Sequence, residues 1–322
     1  MRSDLWWRIS TQPMRLLLCL CLSAILPLGA EITATRDGDR LRVEIDGRLF
    51  TEYRNDKWLP CLYPLMSPDG THLTRRYPFE KDVAGEAKDH PHHIGFWFTH
   101  GDINGNDFWH EPKGCRVVTK GFVGEPEIDS SGKVLTFTVD LEWRGKDQKP
   151  LLSEQRTYSI QVEGRDRVID VSCDLKATDK DVVFGDTKEG SFAIRVAPTI
   201  RMKGAVAKGG ITNSEGLTGG DAWGKRAKWV AFHGPDSAGT PTVIALMDHP
   251  SNLRHPTWWH ARDYGLLAAN PFGPRSYKDK EFKGDAFTLK KGESLKQRYR
   301  LVLVQADLAA APLDKYWQSF SK

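Results

Sequence analysis

The sequence lacks the long apolar segment that an integral membrane protein requires. Its longest mainly apolar run, 16–26, is eleven residues long, whereas a helix that spans a bilayer needs about 20. Three arginines precede this run, and Gly29 and Ala30 follow it. This is the pattern of a secretory signal peptide. We therefore expect residues 1–30 to be a signal peptide and residues 31–322 to form one domain of a periplasmic or secreted protein.

Cysteine is also scarce. Two of the five cysteines, Cys19 and Cys21, fall in the predicted signal peptide. The remaining set of Cys61, Cys115 and Cys173 is odd, so at most one intramolecular disulfide can form. We expect any such bond to join Cys61 to Cys115, because Cys173 lies on the apolar face of a predicted strand. The count excludes a small protein held together by disulfides.

The chain has no large excess of charge of either sign. Lys and Arg together number 46, Asp and Glu number 42, and the charges are interspersed. A nucleic-acid-binding protein typically carries a clustered basic patch, and none is present. The sequence also lacks a Gly-rich phosphate loop and a nucleophile elbow. Nothing in it therefore predicts nucleotide binding or acyl transfer.

What the sequence does contain is an alternation of apolar and polar residues with a period of two, which is typical of half-buried strands. One segment that looks helical lies near the C-terminus, at 313–320. We predict an all-β protein, a large antiparallel β-sandwich with few short helices. The clearest predicted strands are 41–45, 135–143, 158–162, 169–175 and 299–303.

A short segment, 89–102, contains four of the ten histidines together with several aromatic residues. Histidine is a metal ligand, an acid or a base, and tryptophan offers a flat apolar face. If His92 and His100 share one strand, eight residues separate them by roughly 26 Å. The segment would then divide into one group near His92 and a second group containing His100 and His110.

The first group, His90, His92 and His93, is a possible site for a divalent metal ion. It would need a third ligand from elsewhere, such as His249 or His260. The spacing matches no known zinc signature, and structural histidines that bond to backbone carbonyls are an equally good interpretation. We therefore assign no metal ligand.

Two further segments carry candidate functional residues. In 186–195, Glu189 stands between a loop and an apolar run, where an acid or base is easily presented. The alternative is an exposed turn in which Lys188 pairs with Glu189. In 258–273, aromatic, cationic and amide side chains occur together, which suits a polyol ligand. A packed aromatic corner with an Arg262–Asp263 contact is the competing interpretation.

Together these segments resemble a bacterial family of unknown function that is common in planctomycetes and often carries the label "methane oxygenase PmoA". The matching motifs are DHPHH at 89–93, DTKEG at 186–190, DHPSN at 248–252, WHARDYG at 259–265 and NPFG at 270–273. That family is similar to the galactose-mutarotase-like β-sandwiches, a fold used by sugar epimerases, lyases and some glycosidases. The resemblance implies the same sandwich fold and raises the expectation of a sugar ligand.

We therefore predict an exported, carbohydrate-active protein that uses acid–base chemistry at a sugar or another polyol. Glu189 and either His90 or His93 are the expected catalytic pair. Epimerisation, elimination and hydrolysis all remain open, as does the oligomeric state. The alternatives are a glycan-binding protein without catalysis and a metal-dependent oxygenase that uses the histidines. The expected substrate-binding residues are His92, Trp97, His100, Arg195, Trp259, His260, Arg262 and Asn270.

Overall fold

A computed structural model describes residues 31–110 and 114–322. The predicted signal peptide, 1–30, lies outside the described residues. Within the described ranges, no helix is both long enough and apolar enough to cross a membrane.

Strands dominate the structure, with one α-helix, α1 (Leu313–Phe320), and two short 3-10 helices at Gly219–Ala222 and Leu308–Ala310. The strands are β1 (Ile32–Asp37), β2 (Arg40–Ile45), β3 (Arg48–Arg54), β4 (Cys61–Leu65), β5 (Phe96–His100), β6 (Arg116–Phe122), β7 (Glu127–Ile128), β8 (Val134–Arg144), β9 (Pro150–Glu163), β10 (Asp166–Ala177), β11 (Val182–Phe184), β12 (Gly190–Arg195), β13 (Gly210–Asn213), β14 (Trp229–Pro235), β15 (Pro241–Asp248), β16 (Trp258–Arg262), β17 (Leu266–Asn270), β18 (Phe287–Leu289) and β19 (Ser294–Val304).

The strands form two large sheets. The first has the order β1-β2-β3-β4-β5-β12-β17-β16, and the second has the order β13-β14-β15-β19-β10-β9-β8-β6, with β7 paired to β8. A separate pair joins β11 to β18. Pairing is antiparallel in both large sheets, as between β10 and β19 and between β12 and β17.

The alternation in the sequence explains these strands. Along β8, the residues from Leu135 to Trp143 are alternately buried and half-buried. The other predicted strands fall within β2, β9, β10 and β19, and the predicted C-terminal helix is α1. The prediction of an all-β antiparallel sandwich is therefore confirmed.

Aromatic side chains join the inner faces of the two sheets. Phe192 of β12 stacks on Tyr299 of β19 with ring centroids 4.7 Å apart, and Phe98 of β5 lies 5.8 Å from Trp143 of β8. The outer face of the second sheet is partly covered by α1, which packs its apolar side chains against β14, β15 and β19. Burial of apolar area in these two layers is the main stabilising contribution.

An ion pair lies inside the sandwich. Glu154 accepts hydrogen bonds from Arg156 at 2.6 Å and 2.9 Å and from the indole N–H of Trp143 at 2.7 Å. The side chains of both charged residues are 0% exposed. Such a pair is tolerated only because each charge is matched and hydrogen-bonded.

The predicted disulfide is wrong, because all three cysteines of the described chain are free and buried. The thiol of Cys115 is directed at the Asn106 side chain, with Sγ 3.8 Å from Oδ1. Cys61 instead lies on β4 opposite Trp97. The prediction that Cys173 is a buried thiol is confirmed.

Candidate functional site

Strand register places several predicted site residues on the outer face of the first sheet. Trp97 lies opposite Ala193, Ala193 opposite Ala268, and Ala268 opposite His260. Since side chains alternate along strands, these four residues point to the same face, away from the aromatic core. Arg195 lies on this face as well, two residues beyond Ala193. Two alanines therefore separate Trp97 from His260 at the middle of the row.

The histidine-rich segment folds over this face. Strand β5 begins at Phe96, so His92 is not in a strand with His100, as the spacing argument assumed. Gly95 turns the chain with φ +73°, and a Cβ there would lie 2.6 Å from the Leu62 carbonyl oxygen. Glycine is needed at this position because any side chain would collide with β4.

Arg75, which follows β4 in the chain, fixes the position of the histidine-rich segment through hydrogen bonds to its backbone. Its guanidinium donates to the backbone carbonyls of Asp89 and His90, each at 2.7 Å. Arg75 is 1% exposed. His90 is held with φ +44°, a conformation that is uncommon for residues other than glycine.

The Asp89 carboxylate is the electrostatic centre of the cluster. Its Oδ1 accepts from Arg75 Nη1 at 2.7 Å and from Arg195 Nη2 at 3.0 Å, and its Oδ2 accepts from His90 Nδ1 at 2.8 Å. Burial by itself would raise the pKa of Asp89, but the Arg195 charge, the His90 hydrogen bond and the Arg75 charge outweigh it and leave the pKa below its usual value. One carboxylate therefore serves two buried cations and orients one imidazole.

The rings of His90, His93 and Tyr264 lie nearly parallel. His90 stacks on His93 with centroids 4.8 Å apart and on Tyr264 at 4.9 Å. Arg195 donates to His93 Nδ1 at 2.8 Å. Because a guanidinium has only donors, Nδ1 of His93 carries no proton. Burial and then the Arg195 charge lower the pKa of His93 well below its usual value.

A second aspartate–histidine pair stands beside the first. Asp107 Oδ2 accepts from His110 Nδ1 at 2.8 Å, and this bond raises the pKa of His110. The His110 ring lies 4.9 Å from the ring of His92. The expected separation of His110 from the first histidine group is therefore wrong. The chain reverses after β5, which brings His110 back over His92.

His92 lies between the two pairs and is 8% exposed. Burial, followed by repulsion from His110 and His90, lowers the pKa of His92 to about 4. It is therefore a neutral imidazole at physiological pH, in contact with His93 at a centroid distance of 4.5 Å.

Three predicted ligand-binding residues are buried and hydrogen-bonded to the backbone. His100 points to the inner face, where its Nε2 lies 2.9 Å from the Gly185 carbonyl oxygen. Trp259 donates its indole N–H to the Ala227 carbonyl at 2.9 Å, and Asn270 donates to the Thr187 carbonyl at 2.9 Å. Burial lowers the pKa of His100 to about 4. These contacts hold the loops around the site in place.

Glu189 lies at the end of the sheet where β12 begins. Its carboxylate is 3.1 Å from Lys188 Nζ, and its side chain is 18% exposed. It acts to raise the pKa values of both His110 and His260, so it lies within electrostatic range of each. His260 donates from Nδ1 to the Lys188 carbonyl at 2.8 Å. Burial nevertheless lowers the pKa of His260 to about 4.

Several buried hydrogen-bond donors beneath the histidines have no acceptor. Within residues 31–110 and 114–322, no acceptor reaches the indole N–H groups of Trp97 and Trp109 or the Nε of Arg195. The two indole rings lie 5.4 Å apart, and both contact His93. Buried N–H groups normally find an oxygen partner. The cluster is therefore rich in donors and poor in acceptors.

The possible metal site at His90, His92 and His93 does not assemble. In the part of the chain that the structure describes, no three His, Cys, Asp or Glu side chains are placed to hold one ion. The rings of His90 and His93 stack face to face at 9°, so their nitrogens do not converge on one point. Arg195 also occupies Nδ1 of His93 with a cation.

Several residues of the cluster were not assigned from the sequence. Asp107 and His110 are three residues apart, a spacing that could have drawn attention to the pair. Arg75 carried no local signal, since it lies ahead of the histidines. Tyr264 lies within the WHARDYG motif at 259–265 but was not assigned a role, and Trp109 was not assigned either.

Residues 40–318 match the model of a family described as a family of unknown function, DUF6807, and the chain belongs to this family. The resemblance to the family labelled "methane oxygenase PmoA" is therefore wrong. The expectation of a metal-dependent oxygenase, which followed from that label, loses its basis. A comparison with curated proteins finds no match.

Three solved structures illustrate the related arrangement of strands. The GH36 alpha-galactosidase AgaB from Geobacillus stearothermophilus is 11% identical, with a TM-score of 0.41 over 86% of this chain and 41% of that chain. A putative aldose 1-epimerase from Escherichia coli K12 is 13% identical, with a TM-score of 0.32 over 86% and 100%. The Slr1438 protein from Synechocystis sp. PCC 6803 is 11% identical, with a TM-score of 0.32 over 94% and 100%.

The chain spans about two fifths of the length of the alpha-galactosidase chain. At these TM-scores, the similarity carries no argument about what this chain binds or catalyses.

Proposed function

We propose that the histidine cluster on the outer face of the first sheet binds a carbohydrate and transfers protons at it. The observation that carries this proposal is the presence of two adjacent aspartate–histidine pairs, Asp89–His90 and Asp107–His110, each with a 2.8 Å hydrogen bond. Both imidazoles are about half exposed, with side-chain exposures of 39% and 47%. A buried His92 separates them.

This geometry gives the two imidazoles defined protonation sites. A carboxylate that accepts from Nδ1 fixes the proton there and leaves Nε2 free to react. The raised pKa of His110 favours its protonated form and thus a role as general acid. His90, oriented by Asp89, is then the proposed general base.

Glu189 remains a proposed partner in proton transfer, because its carboxylate lies within electrostatic range of His110 and His260. The contact of Arg195 with His93 supports a positioning role for His93 rather than proton transfer.

The excess of donors supports an oxygen-rich ligand. The unpartnered N–H groups of Trp97, Trp109 and Arg195 are buried beneath the histidines, so they make the floor of the site electropositive, which favours a ligand rich in oxygen atoms. Arg262 lies 5.5 Å from the Tyr264 ring and Lys188 lies within electrostatic range of His110, so both add cationic donors beside the cluster. A periplasmic or secreted location, as the first thirty residues suggest, would expose this site to glycans outside the cytoplasm.

The test combines sugar binding with exchange of carbon-bound hydrogen. The protein is mixed with a panel of monosaccharides, uronic acids and short glycans in D2O, and ¹H NMR follows binding, deuterium incorporation and product formation. H110Q and H90Q should abolish turnover and retain binding. H233Q is the matched control, because His233 lies on β14 of the second sheet and its ring bonds to Thr212 rather than to a carboxylate.

The outcomes separate the competing interpretations. Turnover that is lost in H90Q and H110Q and kept in H233Q supports proton transfer. Binding without turnover across the panel would make the protein a glycan-binding module and refute the catalytic part. Failure of every sugar to bind would refute the proposal as a whole.

A further inference from the structure

A cavity outside the histidine cluster shares no lining residue with it. It has a volume of about 340 Å³ and opens between the β2–β3 hairpin and the β9–β10 turn. This volume falls within the roughly 300–1,000 Å³ that small-molecule sites occupy. Its lining residues are Ile45, Asp46, Arg48, Leu49, Phe50, Met66, Ser67, Pro68, Gly164, Arg165 and Arg167.

Arg167 forms the inner wall of this cavity and is only 5% exposed. Its Nη1 donates to the carbonyls of Gly164 and Asp166, each at 3.0 Å. The described residues offer no acceptor to its Nε and Nη2 groups. Burial lowers the pKa of Arg167, and the Asp46 carboxylate only partly offsets this. The Nε and Nη2 groups of Arg167 are not fully buried, so they are open to water or to an anionic ligand in the cavity.

Two further arginines stand at the rim. Arg165 is held by Asp69, with Nη2 2.7 Å from both carboxylate oxygens, and by Gln305. Arg48 is exposed, and in the described ranges no carboxylate lies within salt-bridge distance of it. The carboxylates near the cavity belong to Asp46 and Asp69, so three guanidinium groups face two carboxylates.

Part of the cavity wall is apolar. Ile45 and Phe50 are 5% and 3% exposed, Met66 lies beside Phe50, to whose carbonyl its N–H donates at 3.0 Å, and Pro68 completes this part of the lining. A ligand here would place an anionic group on the arginines and a compact body against the apolar wall. An inorganic ion alone would leave the apolar part of the wall in contact with water.

We propose that this cavity binds a small organic oxyanion, a carboxylate or sulfate ester carried on a body of about monosaccharide size. Arginine recognises both groups with the same planar, two-point geometry. The site is separate from the histidine cluster, and it does not depend on the activity proposed there.

Isothermal titration calorimetry of the full chain tests this with three probes: D-glucuronate, D-glucose 6-sulfate and D-glucose. The two anions separate the carboxylate from the sulfate ester, and neutral glucose reports binding that needs no charge. The variants are R48Q, which removes an exposed charge, and R167K, which keeps the charge and loses the planar fork. R116Q is the matched control, since Arg116 is an exposed arginine of β6 outside the cavity.

We expect one or both anions to bind and glucose not to bind at this site. R48Q should weaken binding about three- to tenfold and R167K about tenfold or more, while R116Q leaves it unchanged. Should R167K fail to fold, the R48Q and R116Q pair decides the result. The proposal is overturned when neither anion binds, when R48Q weakens glucose binding as much as anion binding, or when R48Q and R167K leave anion binding intact. Anion binding that is lost in R262Q and kept in R48Q belongs to the histidine cluster and also overturns it.

Discussion

Replacing Asp89 by Asn tests the electrostatic organisation of the histidine cluster without knowledge of the substrate. The carboxylate receives Arg75 and Arg195 on Oδ1 and His90 on Oδ2. In D89N the amide oxygen must stay with the two arginines, which have only donors. The amide NH₂ then faces His90 Nδ1, which has to become an acceptor. The proton of neutral His90 therefore moves to Nε2, and the proposed base is blocked.

The stability cost follows from the same contacts. In D89N both contacts remain hydrogen bonds from a charged guanidinium, a class that contributes about 1.5–3 kcal/mol each. With a neutral acceptor, each should fall towards the lower end of that range, so the two arginine contacts together lose about 2–3 kcal/mol. Arg75 and Arg195 are also left without their counter-charge, a cost reduced by solvent because the Asp89 side chain is 36% exposed. We expect D89N to lower the free energy of unfolding by about 2–4 kcal/mol.

Two measurements check this prediction. Urea denaturation gives the change in stability, and long-range ¹H–¹⁵N NMR of histidine-labelled protein gives the tautomer of His90. D107N is the matched control, because Asp107 orients His110 in the same way and, within residues 31–110 and 114–322, bonds to no arginine. It should shift the His110 tautomer at a cost below about 1.5 kcal/mol. A D89N protein as stable as D107N, or one with an unchanged His90 tautomer, would refute the reasoning.

Two further predictions concern stability. His92, His100 and His260 have pKa values lowered to about 4, so the unfolded chain binds protons between pH 6.5 and 4 that the folded chain does not. Stability should be complete above pH 6.5 and fall as the pH drops, by about 3 kcal/mol for each group at pH 4. A midpoint of urea unfolding that is flat across this window would contradict the assignment. In the core, E154Q should cost about 3–5 kcal/mol because Arg156 stays buried and uncompensated. The double variant E154L/R156M should recover most of this loss, and equal losses in both proteins would show that the ion pair is not the cause.

Much of the fold could be predicted because the burial of one face of a strand produces a local alternation of apolar and polar residues in the sequence. Each residue of a strand such as β8 faces either the core or solvent, so the period of two is written into the sequence itself. The helix at Leu313–Phe320 was predicted for a similar reason, since its apolar residues recur along one face. The concentration of imidazoles at 89–102 likewise needed no tertiary information to be seen as a candidate site.

The partners of those imidazoles could not be predicted in this way. From the spacing we expected His92 and His100 to lie in one extended strand, and this expectation placed His110 in a group separate from His92. The disulfide prediction failed for a related reason, because it depended on two segments whose side-chain directions only the fold defines. Arg75 offered no sequence signal, although it holds the whole segment in place.

The sequence by itself determined that this is a β-protein with one chemically distinctive, histidine-rich segment. The tertiary structure decided which of those histidines pair with a carboxylate near the surface and which are buried against the backbone. His100 turned to the inner face and bonded to a carbonyl, whereas His90 and His110 each met an aspartate at the surface. The physical reason is that alternation is a property of one strand, whereas register, chain reversal and the sharing of Asp89 between two arginines depend on segments far apart in the chain.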